Sequence, residues 1–122
     1  MIGYVTLGTN NLQRGAKFYD ALLLEIGAKR FMEDDNFIAW VVAPDQPSLA
    51  ITKPSNGDSA TIGNGVMVAL AVENPQQVDA LYAKAIELGA TDEGPSGPRG
   101  DGFYAGYFRD FDGNKLNFFC LT

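Results

Sequence analysis

The stretch DFDGNKLNFF near the C-terminus carries the most obvious group of potential metal ligands, because Asp110 and Asp112 precede a glycine and an asparagine. Side chains of this kind at this spacing suggest a calcium loop. An EF-hand loop, however, has its glycine at the sixth position and a bidentate Glu at the twelfth. Counted from Asp110, the glycine is the fourth residue and the twelfth is Leu121. The stretch therefore predicts a tight hairpin turn, in which Gly113 or Asn114 adopts a positive φ and Asp112 accepts backbone hydrogen bonds.

The chain has no histidine and one cysteine, Cys120. This composition excludes Ser-His-Asp and Cys-His catalysis, and it excludes the iron site built from two His and one carboxylate. Zinc centres with His or clustered thiolate ligands are excluded as well. Any chemistry must depend on carboxylates, Lys, Arg, Tyr or backbone dipoles.

A second stretch, DEGPSGPRGDGF at residues 92–103, is rich in glycine and proline and predicts an irregular, exposed loop. Loops of this composition often border binding sites, and Arg99 within it is suited to holding a carboxylate or phosphate of a ligand. The more common situation is a solvated Arg beside an acidic neighbour, here Asp101. Arg109 is predicted to form a structural ion pair with the aspartates of the turn that follows it.

The overall composition indicates an ordinary globular chain that does not bind nucleic acid. Its 122 residues are 46% hydrophobic and 11% aromatic, which suits one domain with its own core. Nine Lys and Arg against 15 Asp and Glu give a net charge of -6, so binding to a phosphate backbone has little electrostatic support. No apolar stretch is long enough to span a membrane and the first residues do not resemble a secretion signal. We therefore expect no membrane association and a cytoplasmic protein.

The elements that must position the candidate residues occur twice along the chain. In each half an alternating strand is followed by a helix with an apolar stripe, and then by further strands or strand fragments. The helices are predicted to begin at Asn10 or Asn11 and at Asn74, which are good capping residues, and to end at Gly27 and Gly89. They close with nearly the same residues, LEIGA and IELGA. The repeat indicates two modules of one plan.

The fold class predicted from this repeat is α+β, with two paired βαβββ modules that form a concave mixed sheet and carry their helices on its outer face. Residues 1–122 are expected to form a single domain, with modules at about residues 1–55 and 64–122. In the stretch GVMVALAV the bulky residues are predicted to pack against a helix and the others to line a cavity. The bulky set is Val66, Val68, Leu70 and Val72; the cavity set is Met67, Ala69 and Ala71, with Thr6 and Gly8 from the first half. Alternatively, the small residues allow tight packing of a neighbouring strand or a second subunit.

The paired pattern, the opening MIGYVTLGTNNLQRGAKFYDALL, the middle GNGVMVAL and the closing FRDFDGNKLNFF together resemble the vicinal oxygen chelate superfamily, over essentially the whole chain. That group contains glyoxalase I, bleomycin-resistance proteins and extradiol dioxygenases. In its metal-dependent members, ligands project from the first and last strands of each half. The positions that match here are Tyr4, Met67, Asn117 and, with less secure register, Ala50. The resemblance therefore implies a member without the usual divalent metal site, with no cofactor, and it implies a homodimer.

Eight residues are candidates for contact with a small-molecule ligand. By strand parity Phe119 shares a face with Asn117, and Tyr4 is a candidate general acid. The full set is Tyr4, Thr6, Trp40, Met67, Arg99, Tyr107, Asn117 and Phe119.

Three functions remain open at this stage. The favoured one is a metal-free protein of the bleomycin-resistance type that binds an apolar or aromatic small molecule in the sheet cavity without turning it over. The second is a lyase or isomerase of the glyoxalase-like type that uses Tyr4 with Asn117, so the sequence leaves open whether the protein is an enzyme. An extradiol dioxygenase is excluded because there is no His. The third is a scaffold protein whose cavity is filled by side chains such as Met67 and Phe119.

Overall fold

The computed structural model describes all 122 residues, Met1 to Thr122, and contains eight strands and two helices. Two compact units divide the chain, Met1–Ile62 and Gly63–Thr122. Each unit has the order strand, helix, then three strands, so the predicted α+β class with two βαβββ modules is confirmed. The expectation that the units form one domain stays a prediction. The elements are β1 (Tyr4–Gly8), α1 (Leu12–Leu24), β2 (Lys29–Glu33), β3 (Phe37–Val41), β4 (Ser48–Thr52), β5 (Val68–Ala71), α2 (Pro75–Glu87), β6 (Thr91–Pro98), β7 (Phe103–Arg109) and β8 (Lys115–Leu121).

The two sheets have the same topology. The first has the order β1-β4-β3-β2 and the second β5-β8-β7-β6. In each sheet the first strand runs parallel to the last, while the other neighbours are antiparallel. A parallel pair requires a crossover connection, and the helix of each unit is part of it. Each sheet therefore has one face that its own helix covers and one that it does not.

The helix boundaries follow the predicted capping residues. Asn11 and Asn74 each accept a hydrogen bond from the backbone N–H three residues further on, at 3.0 and 2.9 Å. Pro75 occupies the first turn of α2, where its missing N–H costs nothing. Beyond the helix ends, Gly27 and Gly89 adopt φ of 79° and 108°, a region that favours glycine. Both helices thus begin and end where the sequence predicts.

The core of the first unit lies between α1 and the β3–β4 part of its sheet. Trp40 is 2% exposed, and its ring centroid is 5.6 Å from that of Tyr19 on α1. The indole Nε1–H donates to Asp20 Oδ1 at 2.8 Å. Gly15 lets the helix approach closely, because a Cβ at this position would be 2.9 Å from Ile51 Cδ1. A large aromatic side chain and a glycine therefore fix how α1 packs on the sheet.

The core of the second unit is built on stacked phenylalanines. Phe108 and Phe118 on neighbouring strands are fully buried, with ring centroids 5.7 Å apart. Gly106 faces α2, since a Cβ there would be 3.0 Å from the side chain of Tyr82. The thiol-bearing Cys120 is also buried, at 2% exposure, and pairs in register with Tyr104. These contacts identify the α2 side of the sheet and, by alternation, the other side.

The prediction of an irregular loop at residues 92–103 is wrong for its first part. Residues up to Pro98 belong to β6, which pairs with β7 across two shifts of register, around Gly94 and Gly97. The strand lies at the edge of the sheet, where a proline is tolerated because its missing N–H faces away from the ladder. Glycine and proline here therefore mark a bulged edge strand.

The turn within DFDGNKLNFF is confirmed, but with a different acceptor. Gly113 has a φ of 87°, as predicted. The side chain that organises the turn is Asp110, whose Oδ1 accepts from the backbone N–H groups of Asp112 and Asn114, both at 2.9 Å. Its Oδ2 accepts from Asn114 Nδ2 at 3.0 Å. Because Asp110 is only 7% exposed, its oxygens need hydrogen-bond donors from the protein, and the turn supplies them.

Two further expectations need correction. Arg109 forms its ion pair with Glu93 on β6, at 2.5 Å, and donates to the carbonyl of Gly113 at 2.8 Å, so its carboxylate partner is not in the turn. Val66, expected to pack on a helix, is 61% exposed because β5 begins only at Val68. Neither helix is long and apolar enough to cross a membrane.

Candidate functional site

The face of the second sheet that points away from α2, called here the open face of the second unit, carries four of the eight candidate residues. Across the sheet the register places them in rows that run from strand to strand. Tyr107 on β7 is paired with Asn117 on β8, and Phe119 lies in the neighbouring row. Small residues occupy the other positions of both rows. The rows are Gly94–Tyr107–Asn117–Ala69 and Gly97–Ala105–Phe119–Ala71.

Asn117 is the unusual residue of this face. It is 1% exposed, and its side-chain Oδ1 has no hydrogen-bond partner. Buried polar atoms in proteins are nearly always paired, because an unpaired acceptor costs about 1–3 kcal/mol. The open face therefore holds an acceptor without a donor at the position that the sequence comparison singled out.

Two cations flank the ring of Tyr107. Arg99 Cζ is 5.5 Å from the ring centroid and Lys115 Nζ is 5.6 Å from it. The guanidinium of Arg99 is held in place by the carbonyls of Pro98, at 3.2 Å, and of Pro95. Both cations therefore lie beside the ring that is the direct neighbour of Asn117.

Glycines on β6 make room for the Arg99 side chain. A Cβ at Gly94 or at Gly97 would lie 3.3 Å from one of its guanidinium nitrogens. Gly94 is also the cross-strand partner of Tyr107, so the guanidinium lies on the open face. The glycines that led to the prediction of a loop thus leave room for the Arg99 side chain.

Neither Arg99 nor Lys115 forms an ion pair, whereas the other two cations of this unit, Lys84 and Arg109, do. On β6, Asp92 has an electrostatic interaction with Arg99. Its carboxylate already accepts from the Tyr82 hydroxyl at 2.7 Å and from a backbone N–H. These hydrogen bonds, that of Tyr82 first, hold the pKa of Asp92 below its usual range.

The open face of the first unit is exposed at its edge strand β1 and buried at its centre, where Ala39 and Ala50 are 1% and 0% exposed. Tyr4 is 65% exposed, and Thr6 is paired with Ala50, which is paired in turn with Ala39. Trp40 does not belong to this face, because it packs on the α1 side with its N–H already bonded. Trp40 therefore leaves the candidate set. The idea that the two open faces enclose a common cavity stays a prediction.

A charged groove in the first unit was not anticipated from the sequence. It has a volume of about 830 Å3 and lies between α1 and the β2 region. Arg30 donates to both oxygens of Asp20, at 2.9 and 2.7 Å, and to Glu33 at 2.8 Å. The hydrogen bond from Arg30 is the main cause that lowers the pKa of Asp20, against the effect of burial. No local sequence signal joins these residues, since Asp20 and Arg30 are on different elements.

Comparison with known proteins places the chain in a family. The profile of the Glyoxalase/Bleomycin resistance protein/Dioxygenase superfamily matches residues 1–118. The chain belongs to this superfamily. A glyoxalase/bleomycin resistance protein from Albidiferax ferrireducens T118 is 36% identical, with a TM-score of 0.91 over 100% of this chain and 99% of that one.

More distant members of the same fold also match. A hypothetical protein from S. aureus is 25% identical, with a TM-score of 0.76 over 98% of this chain and 92% of that one. The genomically encoded fosfomycin resistance protein FosX from Listeria monocytogenes is 20% identical, with a TM-score of 0.77 over 100% and 93%. This last similarity is one of fold. Comparison with curated proteins found no match.

The superfamily implies a divalent metal in its metal-dependent members, and the residues of this chain do not fit one. At the matched positions the second unit offers the amide oxygen of Asn117 and the thioether of Met67, which precedes β5 and is 39% exposed. No group of three or more His, Cys, Asp or Glu side chains is arranged to hold a metal ion. Hard divalent ions prefer several carboxylate oxygens and borderline ions such as Zn and Ni prefer imidazole, and this donor set offers neither.

Proposed function

We propose that this member of the superfamily binds an aromatic small molecule on the open face of the second unit without a metal and without turning it over. The observation that carries the proposal is Asn117, a fully buried residue with an unpartnered acceptor. A donor from a bound molecule would satisfy this oxygen. The free energy that the unpaired atom costs is then recovered on binding.

The surroundings of Asn117 support an aromatic ligand. Ala69 and Ala71 at the edge of the sheet are exposed and short, so a planar molecule has room above them. Tyr107 and Phe119 are partly exposed on the same face and provide apolar ring atoms beside Asn117. Binding sites for small molecules typically combine apolar walls of this kind with a few polar groups that fix orientation.

The description of the superfamily joins enzymes with resistance proteins, and the residues of this chain favour the latter kind. A Lewis-acid site needs several anionic or imidazole ligands around an open position, and the matched positions do not supply them. The relative that is 36% identical is itself described as a glyoxalase/bleomycin resistance protein. We therefore propose binding, and with it protection or transport of the ligand, as the function.

Metal content and ligand binding can be measured on the same purified protein. We expect less than stoichiometric Zn, Ni, Mn or Fe by elemental analysis, and no rise in melting temperature with these ions. We expect a rise with members of a panel of small aromatic compounds, because a ligand at about 100 times its Kd stabilises a protein by about 2.7 kcal/mol. Stoichiometric metal, or chemical conversion of a bound compound, would contradict the proposal.

The variant Asn117→Leu tests the residue that carries the argument. Leu has the same branching as Asn but no acceptor, so the ligand-induced rise in melting temperature should disappear. Gln76→Leu is the matched control, because it removes an exposed amide on α2 in the same unit. If Asn117→Leu keeps the ligand response of the wild type, the open face of the second unit is not the binding site.

We also propose that the protein forms a homodimer. Phe31 and Met32 on the edge strand β2 are 56% and 57% exposed, and an apolar edge of this kind favours association with another chain. Sedimentation equilibrium should show a dimer that Met32→Lys weakens. A wild-type protein that stays monomeric at high concentration contradicts this proposal.

A further inference from the structure

We infer that the ligand is an aromatic carboxylate that also carries a hydrogen-bond donor, such as a ring hydroxyl. This inference rests on the proposed function, since it assumes binding at the open face of the second unit. It adds the charge and the polar pattern of the ligand. The cations at Tyr107 and the unpartnered oxygen of Asn117 carry it together.

The charge follows from Arg99 and Lys115. Both lie within 5.6 Å of the centroid of the Tyr107 ring, and neither forms an ion pair with a carboxylate at contact distance. The chain as a whole has nine basic and 15 acidic residues, so acidic partners are abundant. Two unpaired cations beside one ring in such a chain form a local positive site that suits an anion.

The side chain of Arg99 is prepared for that role. Its Nη1 and Nη2 donate to the carbonyls of Pro98 and Pro95, which fixes the plane of the guanidinium. A guanidinium has further N–H donors in the same planar fork, and these match the geometry of a carboxylate. Gly94 and Gly97 leave the space in which the fork lies. An anion can therefore bind without first ordering the Arg side chain.

The position of Asn117 fixes the second part of the pattern. It is the cross-strand partner of Tyr107, whose ring centroid lies within 5.6 Å of both cations. The cations and the acceptor of Asn117 therefore occupy neighbouring positions on one face of the sheet. A hydroxyl-bearing aromatic carboxylate has this arrangement of groups.

The experiment uses three matched probes in titration calorimetry. These are 4-hydroxybenzoate, its neutral analogue 4-hydroxybenzamide, and benzoate, which lacks the hydroxyl. We expect 4-hydroxybenzoate to bind most tightly and each analogue to bind about tenfold more weakly, since each loses one charged or buried hydrogen bond. Affinity for 4-hydroxybenzoate should fall with added salt, while that for 4-hydroxybenzamide should not.

Variants assign the charge to residues. Arg99→Gln should weaken 4-hydroxybenzoate about tenfold and leave 4-hydroxybenzamide unchanged, and Lys115→Gln should weaken it about threefold. Lys84→Gln is the control, since it removes one positive charge from α2 of the same unit. Melting curves of each variant without ligand show whether it is folded. Equal losses in Lys84→Gln would mean that net charge alone is measured, and the inference would be wrong.

The outcomes separate this inference from the proposed function. If the neutral and anionic probes bind equally, or if Arg99→Gln binds both as the wild type does, the inference is wrong while binding at the open face stands. If inorganic phosphate binds as tightly as 4-hydroxybenzoate, the aromatic part of the inference is wrong. If no compound of any charge binds, both the inference and the proposed function are overturned.

Discussion

The two units have the same topology, but they differ in whether a central polar side chain has its hydrogen-bond partners. In the first unit both oxygens of Asp20 are used, by Arg30 and by the indole of Trp40. In the second unit Asn117 is far more deeply buried, but its oxygen has no partner. A polar group whose bonds are complete stabilises the fold, whereas an incomplete one is explained by something that binds.

The cations of the two units show the same contrast. Arg30 is neutralised by Asp20 and Glu33 on the α1 side of its sheet. Arg99 and Lys115 are not neutralised, and they lie together at one aromatic ring on an open face. Because the topology is shared, the difference comes from side chains alone. The first unit therefore serves as an internal reference for what is structural, and five substitutions test the contrast.

The largest effect is expected from the buried aromatic residue of each core. Trp40→Ala and Phe108→Ala should each lower the free energy of unfolding by about 3–5 kcal/mol, because both side chains are almost fully buried. Denaturant unfolding followed by circular dichroism measures this, since Trp40 is the single tryptophan and its loss removes the fluorescence signal. Leu24→Ala, at an exposed site of α1, is the control. A cost below 1 kcal/mol for either core variant would show that its core is not packed as described.

Asp20→Ala should lower the free energy of unfolding by about 1–2 kcal/mol, because it leaves the Trp40 N–H and the Arg30 guanidinium without their shared acceptor. The pKa of Asp20 lies below its ordinary value of 3.8 in the folded chain, chiefly through the hydrogen bond from Arg30. Its contribution is thus complete above that value and is lost as the pH falls through the folded pKa. Unfolding curves from pH 6 to pH 2 should show a smaller acid dependence in Asp20→Ala. Equal acid dependence in variant and wild type would refute the role of Asp20.

Tyr82→Phe is expected to cost about 1 kcal/mol or less, since it removes the hydrogen bond to Asp92. Burial first, and then Asp92, raises the pKa of Tyr82 to about 12. The phenol therefore contributes stability below pH 10, and this is lost as the pH rises towards 12. Absorbance titration of the tyrosinate band should lack its highest step in the variant. A titration identical to that of the wild type would mean that the pKa of Tyr82 is not raised.

The smallest effect on stability is expected from Asn117→Leu, although the residue is as buried as the core aromatics. Its oxygen makes no hydrogen bond that could be lost, so the free energy of unfolding should stay within about 1 kcal/mol of the wild type. Chemical denaturation without ligand measures this directly. A cost as large as that of Asp20→Ala would show that Asn117 has a structural role, and the contrast between the units would fail.

Much of the fold could be read from the sequence, because its signals are local. The caps Asn11 and Asn74, the terminating glycines Gly27 and Gly89 and the repeated order of elements are properties of neighbouring residues. The position of Asn117 on the face opposite α2 also follows from alternation along one strand. Periodicity and capping therefore predict the elements and the parity of their side chains.

The errors arise where distant residues decide the outcome. Composition alone indicated a loop before β7, whereas pairing with β7 makes most of that stretch an edge strand. The same misreading hid Glu93 as the partner of Arg109. Trp40 was placed with the ligand-binding residues as one of the aromatic residues on the predicted strands, and its type does not say which face of the sheet the helix covers. That choice depends on packing with Tyr19 and Asp20 on α1.

The buried thiol of Cys120 can be used to measure how often the second unit opens. It is the single cysteine of the chain and is 2% exposed. It lies on β8 opposite Tyr104, three residues after Asn117. A thiol reagent can reach it only when the packing around β8 opens, so the rate of modification reports how often this part of the second unit opens. A molecule seated on the same strand should slow that rate without touching the sulfur.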